Sequence, residues 1–94
     1  MEFIYATTAH LNWLKEQDEH VSPAILLHKI QAQQILLAIV KGEPIGWLRF
    51  GFFWDTIPFM NLLFLHPAFR QKGIGSKLVK FWESEMQKLS LIHI

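Results

Sequence analysis

The sequence predicts an α+β (mixed α/β) fold: a central, mostly antiparallel sheet flanked by helices. Residues 34–40 form a β-branched-rich run, Lys41-Gly42-Glu43-Pro44 reads as a turn, and residues 45–54 follow as a second strand that is apolar on both faces. A strand covered on both sides belongs inside a sheet with helices packed around it. Ile74 to Leu89 supplies one such helix, with Ile74, Leu78, Trp82, Met86 and Leu89 on one face and Lys77, Lys80, Glu83, Ser84 and Lys88 facing water.

The elements follow in order. Glu2 to Ala6 alternates and reads as a first strand. Thr7 or Thr8 can cap a helix that turns Leu11, Leu14 and Trp13 inward and ends in the polar stretch Gln17 to His20. A second helix starts at once: Ser22 is its N-cap, Pro23 its first residue, Val21 and Leu26 a hydrophobic staple, and Leu26, Leu27 and Ile30 its apolar stripe. In the hairpin that follows, alternation places Ile45, Trp47 and Phe53 on one face and Leu48, Phe50, Phe52 and Trp54 on the other. Asp55-Thr56-Ile57-Pro58 reads as the next turn, and Phe59 to Leu65 as a strand stopped by His66-Pro67. After the long helix, Leu91 to Ile94 reads as the opening of a fifth strand, reached by a right-handed parallel crossover.

Composition bounds the function. With 94 residues and 51% hydrophobic content, the chain makes one domain, 1–94, around one core. The absence of cysteine excludes a disulfide scaffold, a thiolate zinc site and a cysteine nucleophile, and is compatible with a reducing cytoplasm. The longest unbroken apolar run, Ile35 to Val40, falls far short of the ~20 residues of a membrane span. No secretory signal is visible either, so a cytoplasmic protein without a membrane partner is expected. The five histidines lack paired ligand spacing, which predicts no metal. A net charge of +1 argues against nucleic-acid binding. Its distribution is uneven, however: four basic and six acidic residues lie in 1–65, five basic and two acidic in 66–94. An anionic ligand would prefer the last third.

One constellation carries chemistry: the strand ending at Leu65, then His66-Pro67-Ala68-Phe69, then Arg70-Gln71-Lys72-Gly73-Ile74-Gly75, then a helix. Two glycines one residue apart let the backbone turn tightly and bring its amides close to a ligand. At a helix N-terminus those amides and the macrodipole favour a phosphate. A dinucleotide fingerprint would need a third glycine where Leu78 stands, and the Gly-Lys-Ser/Thr of a Walker A loop is absent. The plainer alternative is a strand-to-helix turn that uses glycine for its geometry alone.

The run Leu63-Phe64-Leu65-His66-Pro67-Ala68-Phe69-Arg70-Gln71-Lys72-Gly73-Ile74-Gly75-Ser76-Lys77-Leu78 resembles the acetyl-CoA-binding core of the GNAT N-acetyltransferases, whose signature is Arg/Gln-x-x-Gly-x-Gly/Ala after a strand that ends near a proline. The order of elements before it fits as well. The resemblance implies an acetyl-CoA-dependent transfer to a primary amine of a small molecule or peptide. It gives the cofactor-binding residues Leu63, Phe64, Leu65, Arg70, Gln71, Lys72, Gly73, Ile74, Gly75 and Ser76. Backbone amides from Gln71 to Ser76 would hold the pyrophosphate, with Arg70 at the first signature position. Main-chain groups of Leu63 to Leu65 would pair with the pantetheine arm, and one amide there would polarise the thioester carbonyl.

Family members usually continue through a fifth strand, another helix and two more strands, where a tyrosine often protonates the leaving thiolate. The resemblance thus implies a GNAT acyl-CoA N-acyltransferase fold lacking its C-terminal part. Tyr5, the single tyrosine, does not match that position. Candidate acid-base residues are Asp55 and His66, each with a plainer reading as a turn former and a strand-end residue. The aromatic cluster Phe50, Phe52, Phe53 and Trp54 reads as core that could line an acceptor pocket. The alternative function is a catalytically impaired CoA-binding or self-associating module. An open edge beside the fourth strand predicts a homodimer, with Leu91 to Ile94 as an exchanged strand.

Overall fold

The computed structural model describes residues 1–19, 21–54 and 57–92. The chain runs through β1 (Glu2–Tyr5), a 3-10 turn (Thr8–His10), α1 (Leu11–Gln17), α2 (Pro23–Gln31), β2 (Ile35–Val40), β3 (Glu43–Phe53), β4 (Ile57–Leu65), a second 3-10 turn (Pro67–Phe69) and α3 (Ile74–Ile92). The strands form one antiparallel sheet in the order β1-β2-β3-β4. The expected α+β class is the observed one.

Two apolar cores lie on opposite faces of this sheet. Ile35, Leu37, Ile39 and Trp47 pack with Leu14 of α1 and with Leu26 and Ile30 of α2. Leu36, Ala38, Leu48 and Phe50 pack with Ile74, Leu78 and Met86 of α3. β2 is therefore buried on both sides, which accounts for its unbroken apolar run. Aromatic contacts tie the layers together: Trp13 meets Trp47 edge-on at 5.4 Å, and Phe3 of β1 meets Phe81 of α3 at 5.6 Å.

Local signals set most boundaries. Ser22 Oγ accepts the Ile25 N–H at 3.3 Å, Pro23 opens α2, and Val21 packs against the core that contains Leu26. Thr7 is the N-cap of the first 3-10 turn and donates its N–H to His10 Nδ1 at 2.9 Å, so α1 itself begins only at Leu11. Lys41 and Gly42 both have positive φ, 51° and 80°, the type I′ geometry that joins two strands through a two-residue loop. Glu43 and Pro44 therefore belong to β3 and not to the turn.

Four further expectations are corrected. Ala38 pairs with Gly46 but Ile39 pairs with Pro44, which makes Ile45 the extra residue of a bulge. The bulge shifts the alternation by one, and Ile45 joins Leu48 on the α3 side, away from Trp47. Trp54 is not a strand residue: it stands in a turn at φ 50° and is 85% exposed. Ile57 and Pro58, read as turn, open β4 instead. The expected fifth strand begins as helix, because α3 continues through Leu91 and Ile92; His93 and Ile94 lie outside the described residues. No helix among the described residues is long and apolar enough to cross a membrane.

Candidate functional site

β4 ends the sheet, and among the described residues its outer edge pairs with no strand. His66 N–H donates to Ile45 O at 2.7 Å. Because the ladder alternates, Phe64 and Leu62 then face β3, while the N–H and C=O of Leu63 and Leu65 point to the open edge. One of these groups is engaged from the loop: Arg70 Nε donates to Leu65 O at 3.0 Å. The Arg70 guanidinium also lies 5.6 Å from the centre of the Phe64 ring, which in turn packs on Trp47 at 4.5 Å.

The loop after β4 has the backbone the glycines announced. The second 3-10 turn, capped by His66, leads to Arg70 in extended conformation. Gln71 and Gly73 then take positive φ, 65° and 76°. Those two left-handed residues reverse the chain into α3. The first intrahelical bond runs from Lys77 N–H to Gly73 O at 3.1 Å, so the amides of Ile74, Gly75 and Ser76 have no partner within the helix. Gly75 lies close over β4, where a Cβ would meet Leu65 Cδ1 at 3.2 Å. A cluster of backbone donors and the positive end of a 19-residue helix thus stand beside the open end of the edge strand, with Lys72 in the same loop and Lys77 exposed in the first turn of the helix. Lys72 Nζ stands 5.7 Å from the Phe69 ring centre, a cation held near the loop.

Of the two acid-base candidates, Asp55 lies outside the described residues. His66 is exposed and caps the 3-10 turn, its Nδ1 accepting the Ala68 N–H at 3.2 Å. That bond places the proton of the neutral ring on Nε2. The structure brings the ten expected binding residues together around one strand end and one helix start; it leaves His66 at their border, in a structural hydrogen bond.

A second group escaped sequence reasoning. At Arg49/Phe50 the β3–β4 register slips, with Arg49 opposite Leu62 and Phe50 opposite Met60, so Asn61 is the extra residue of β4. Lys29 of α2 reaches this bulge, where Nζ donates to Phe50 O at 2.7 Å and to Asn61 Oδ1 at 3.4 Å. Burial and the nearby Arg49 hold the Lys29 ammonium below the usual lysine range. Arg49 Nε is paired with Asp18 Oδ2 at 3.1 Å, and the Asp18 side chain is fully buried. Nothing in the sequence marks these contacts, because 31 residues separate Asp18 from Arg49 and 32 separate Lys29 from Asn61.

The comparisons with known proteins agree with this geometry. Residues 4–94 match the Acetyltransferase (GNAT) family. No curated protein sequence matches the chain. Among solved structures, the fold is similar to the Rv2747 protein of Mycobacterium tuberculosis in complex with CoA (TM-score 0.79, 15% identity, 95% of this chain and 59% of that one). It is also similar to the PaiA N-acetyltransferase of Thermoplasma acidophilum in complex with coenzyme A (TM-score 0.78, 19% identity, 95% and 73%). The N-acetylglutamate synthase of Neisseria gonorrhoeae, complexed with coenzyme A and N-acetyl-glutamate, matches at TM-score 0.74 and 18% identity, over 93% of this chain and 22% of that one. The chain thus spans less than two thirds of the first and last of these proteins. With nearly all of its length matched, the chain belongs to the acetyltransferase (GNAT) family.

Proposed function

We propose that the chain binds acetyl-CoA along the β4 edge and transfers the acetyl group to a primary amine. The observation that carries this reading is the pairing of two donor sets: the helix-unpaired amides of Ile74, Gly75 and Ser76, and the outward groups of Leu63 and Leu65. In this reading the amides from Gln71 to Ser76 hold the pyrophosphate, and Arg70 and Lys72 add positive charge beside it. Arg70 releases Leu65 O so that the carbonyl can accept from the pantetheine arm. An outward amide of β4 polarises the thioester carbonyl. The acceptor amine forms the new C–N bond at that carbon as the C–S bond breaks, and the amine's proton leaves with the thiolate or solvent. The chain's own part is therefore mainly placement and electrostatics. The lack of cysteine suits a cytoplasmic site for this chemistry.

Calorimetric titration of acetyl-CoA into the purified chain tests the binding step. Saturable 1:1 binding that disappears in Gly73→Glu and Gly75→Glu is expected, with the circular dichroism of both variants preserved. Unchanged affinity in both would refute the reading. Acetyl transfer to a panel of amines tests the chemistry.

A specific observation favours a second reading, self-association into a homodimer. Ile57, Met60 and Leu63 expose 51%, 42% and 36% of their surface along the same unpaired strand. Two copies joined through β4 would cover this edge, and the same edge groups would then be withheld from the pantetheine arm. Light scattering at micromolar concentration, with and without CoA, distinguishes the two.

A further inference from the structure

The β3–β4 bulge holds a cation without a counterion among the described residues. Lys29 Nζ is half-buried, and its two hydrogen-bond acceptors, Phe50 O and Asn61 Oδ1, are both neutral. Asp18 is the buried carboxylate of this region and is committed to Arg49 at 3.1 Å. Lys29 therefore has no carboxylate partner among the described residues, and it shares its surroundings with a second cation. The position is shaped for the ammonium: a Cβ on Gly51 would stand 3.1 Å from Nζ, so a glycine there leaves the space over the strand open. Taking a charge even partly out of water is costly unless it is paired. A lysine whose only role was to cap the Phe50 carbonyl could be replaced by a neutral donor at lower cost.

Asn61 lies two positions before Leu63, about 7 Å along the strand. Under the acyl-transfer reading, on which this inference rests, Leu63 carries one of the two outward amides that can polarise the thioester carbonyl. An amine and a carboxylate on one carbon can bridge a gap of that order. We infer that Lys29, seated over Gly51 and steadied by Asn61, recognises the acceptor, and that the acceptor is a small amine bearing a carboxylate, as a free amino acid does.

The test uses matched pairs, N-acetyl-amino acids against their carboxamides, with CoA present and absent. Binding is read from the Lys29 side-chain NMR signal and from calorimetry; transfer is read with the free amino acids and their amides. The carboxylate members are expected to bind and react about tenfold better or more, and to shift the Lys29 signal where the amides do not. Lys29→Gln keeps a donor for Phe50 O but removes the charge. Asn61→Asp gives the ammonium an internal carboxylate on an exposed residue. Both are expected to erase the preference while leaving the CoA titration unchanged. A panel in which no carboxylate outperforms its amide, or a preference that survives Lys29→Gln, overturns the assignment. Loss of CoA binding in the unmodified chain would instead overturn the acyl-transfer reading, and the Lys29 signal would still report whether carboxylates bind.

Discussion

Leu65 lies across Gly46: a Cβ on Gly46 would stand 2.5 Å from Leu65 Cδ2 and 2.6 Å from Phe64 O. The first contact could be relieved by a rotamer change, but the second is with backbone that β3 and β4 hold in register. Gly46→Ala must therefore push β4 away from β3. We expect a loss of about 2 kcal/mol or more, read as a lower urea midpoint at unchanged slope. Because β4 carries the outward groups of Leu63 and Leu65, CoA affinity should fall with it. A variant as stable as the parent would show that the strands are not held this tightly.

The loop glycine at position 73 makes a different demand. Nothing lies within 4 Å of a Cβ placed there, so the cost of Gly73→Ala is conformational alone, at φ 76°. A left-handed alanine costs roughly 1 to 2 kcal/mol. Gln71 already bears such a cost at φ 65° two residues earlier. Gln71→Gly should accordingly stabilise the fold slightly where Gly73→Ala weakens it, two opposite shifts in one denaturation series. Shifts of the same sign would mean that the loop conformation differs.

Asp18 and Arg49 form a pair that cannot be cut on one side cheaply. The Asp18 side chain is fully buried and that of Arg49 is 11% exposed, so Asp18→Ala strands a guanidinium near the Lys29 ammonium. Breaking a buried pair in this way costs about 3 to 5 kcal/mol, whereas apolar replacement of both partners is often neutral. Thermal melts should therefore rank Asp18→Ala well below the double variant Asp18→Leu/Arg49→Met. A double variant as unstable as the single one would show that the pair itself, and not the uncompensated charge, sets the cost.

The elements legible in the sequence are those set by neighbours close along the chain. Ser22-Pro23, the apolar stripe of α3 and the double glycine of the loop announce themselves within a few residues, as does the turn at Lys41-Gly42, although the strand takes up Glu43 and Pro44 that composition assigns to that turn. What misled was parity. Ile45 reads as a partner of Trp47 in any strict alternation, and a single inserted residue opposite Ile39 and Ala38 puts it on the other face. Leu91 and Ile92 read as strand from their composition, yet they continue a helix whose inward face was already set by Leu78 and Met86. Half of the candidate site was legible for the same reason that the loop was. The other half, Lys29 over Gly51 with Asn61 and Arg49, is assembled from two strands and a helix far apart in sequence, and composition carries no trace of it.

Tyr5 offers a direct check on how β1 meets α3. Burial and the Glu85 carboxylate, which accepts a hydrogen bond from the phenol, push its pKa from 10.0 up to about 12. The folded chain therefore holds this proton more tightly than the unfolded chain does. The resulting stability is whole below pH 10 and is lost as the pH rises through about 12. Since Tyr5 is the one tyrosine, phenolate absorbance reports it alone. The midpoint should lie near 12 in the folded protein and near 10 in urea. Glu85→Gln should move the folded midpoint down toward the unfolded one, because the carboxylate is removed and the burial remains. Tyr5→Phe should abolish the corresponding alkaline fall in the urea midpoint. A folded midpoint at 10 would mean that Tyr5 is neither buried against α3 nor in contact with Glu85, and that the outermost strand packs on α3 through Phe3 and Phe81 instead.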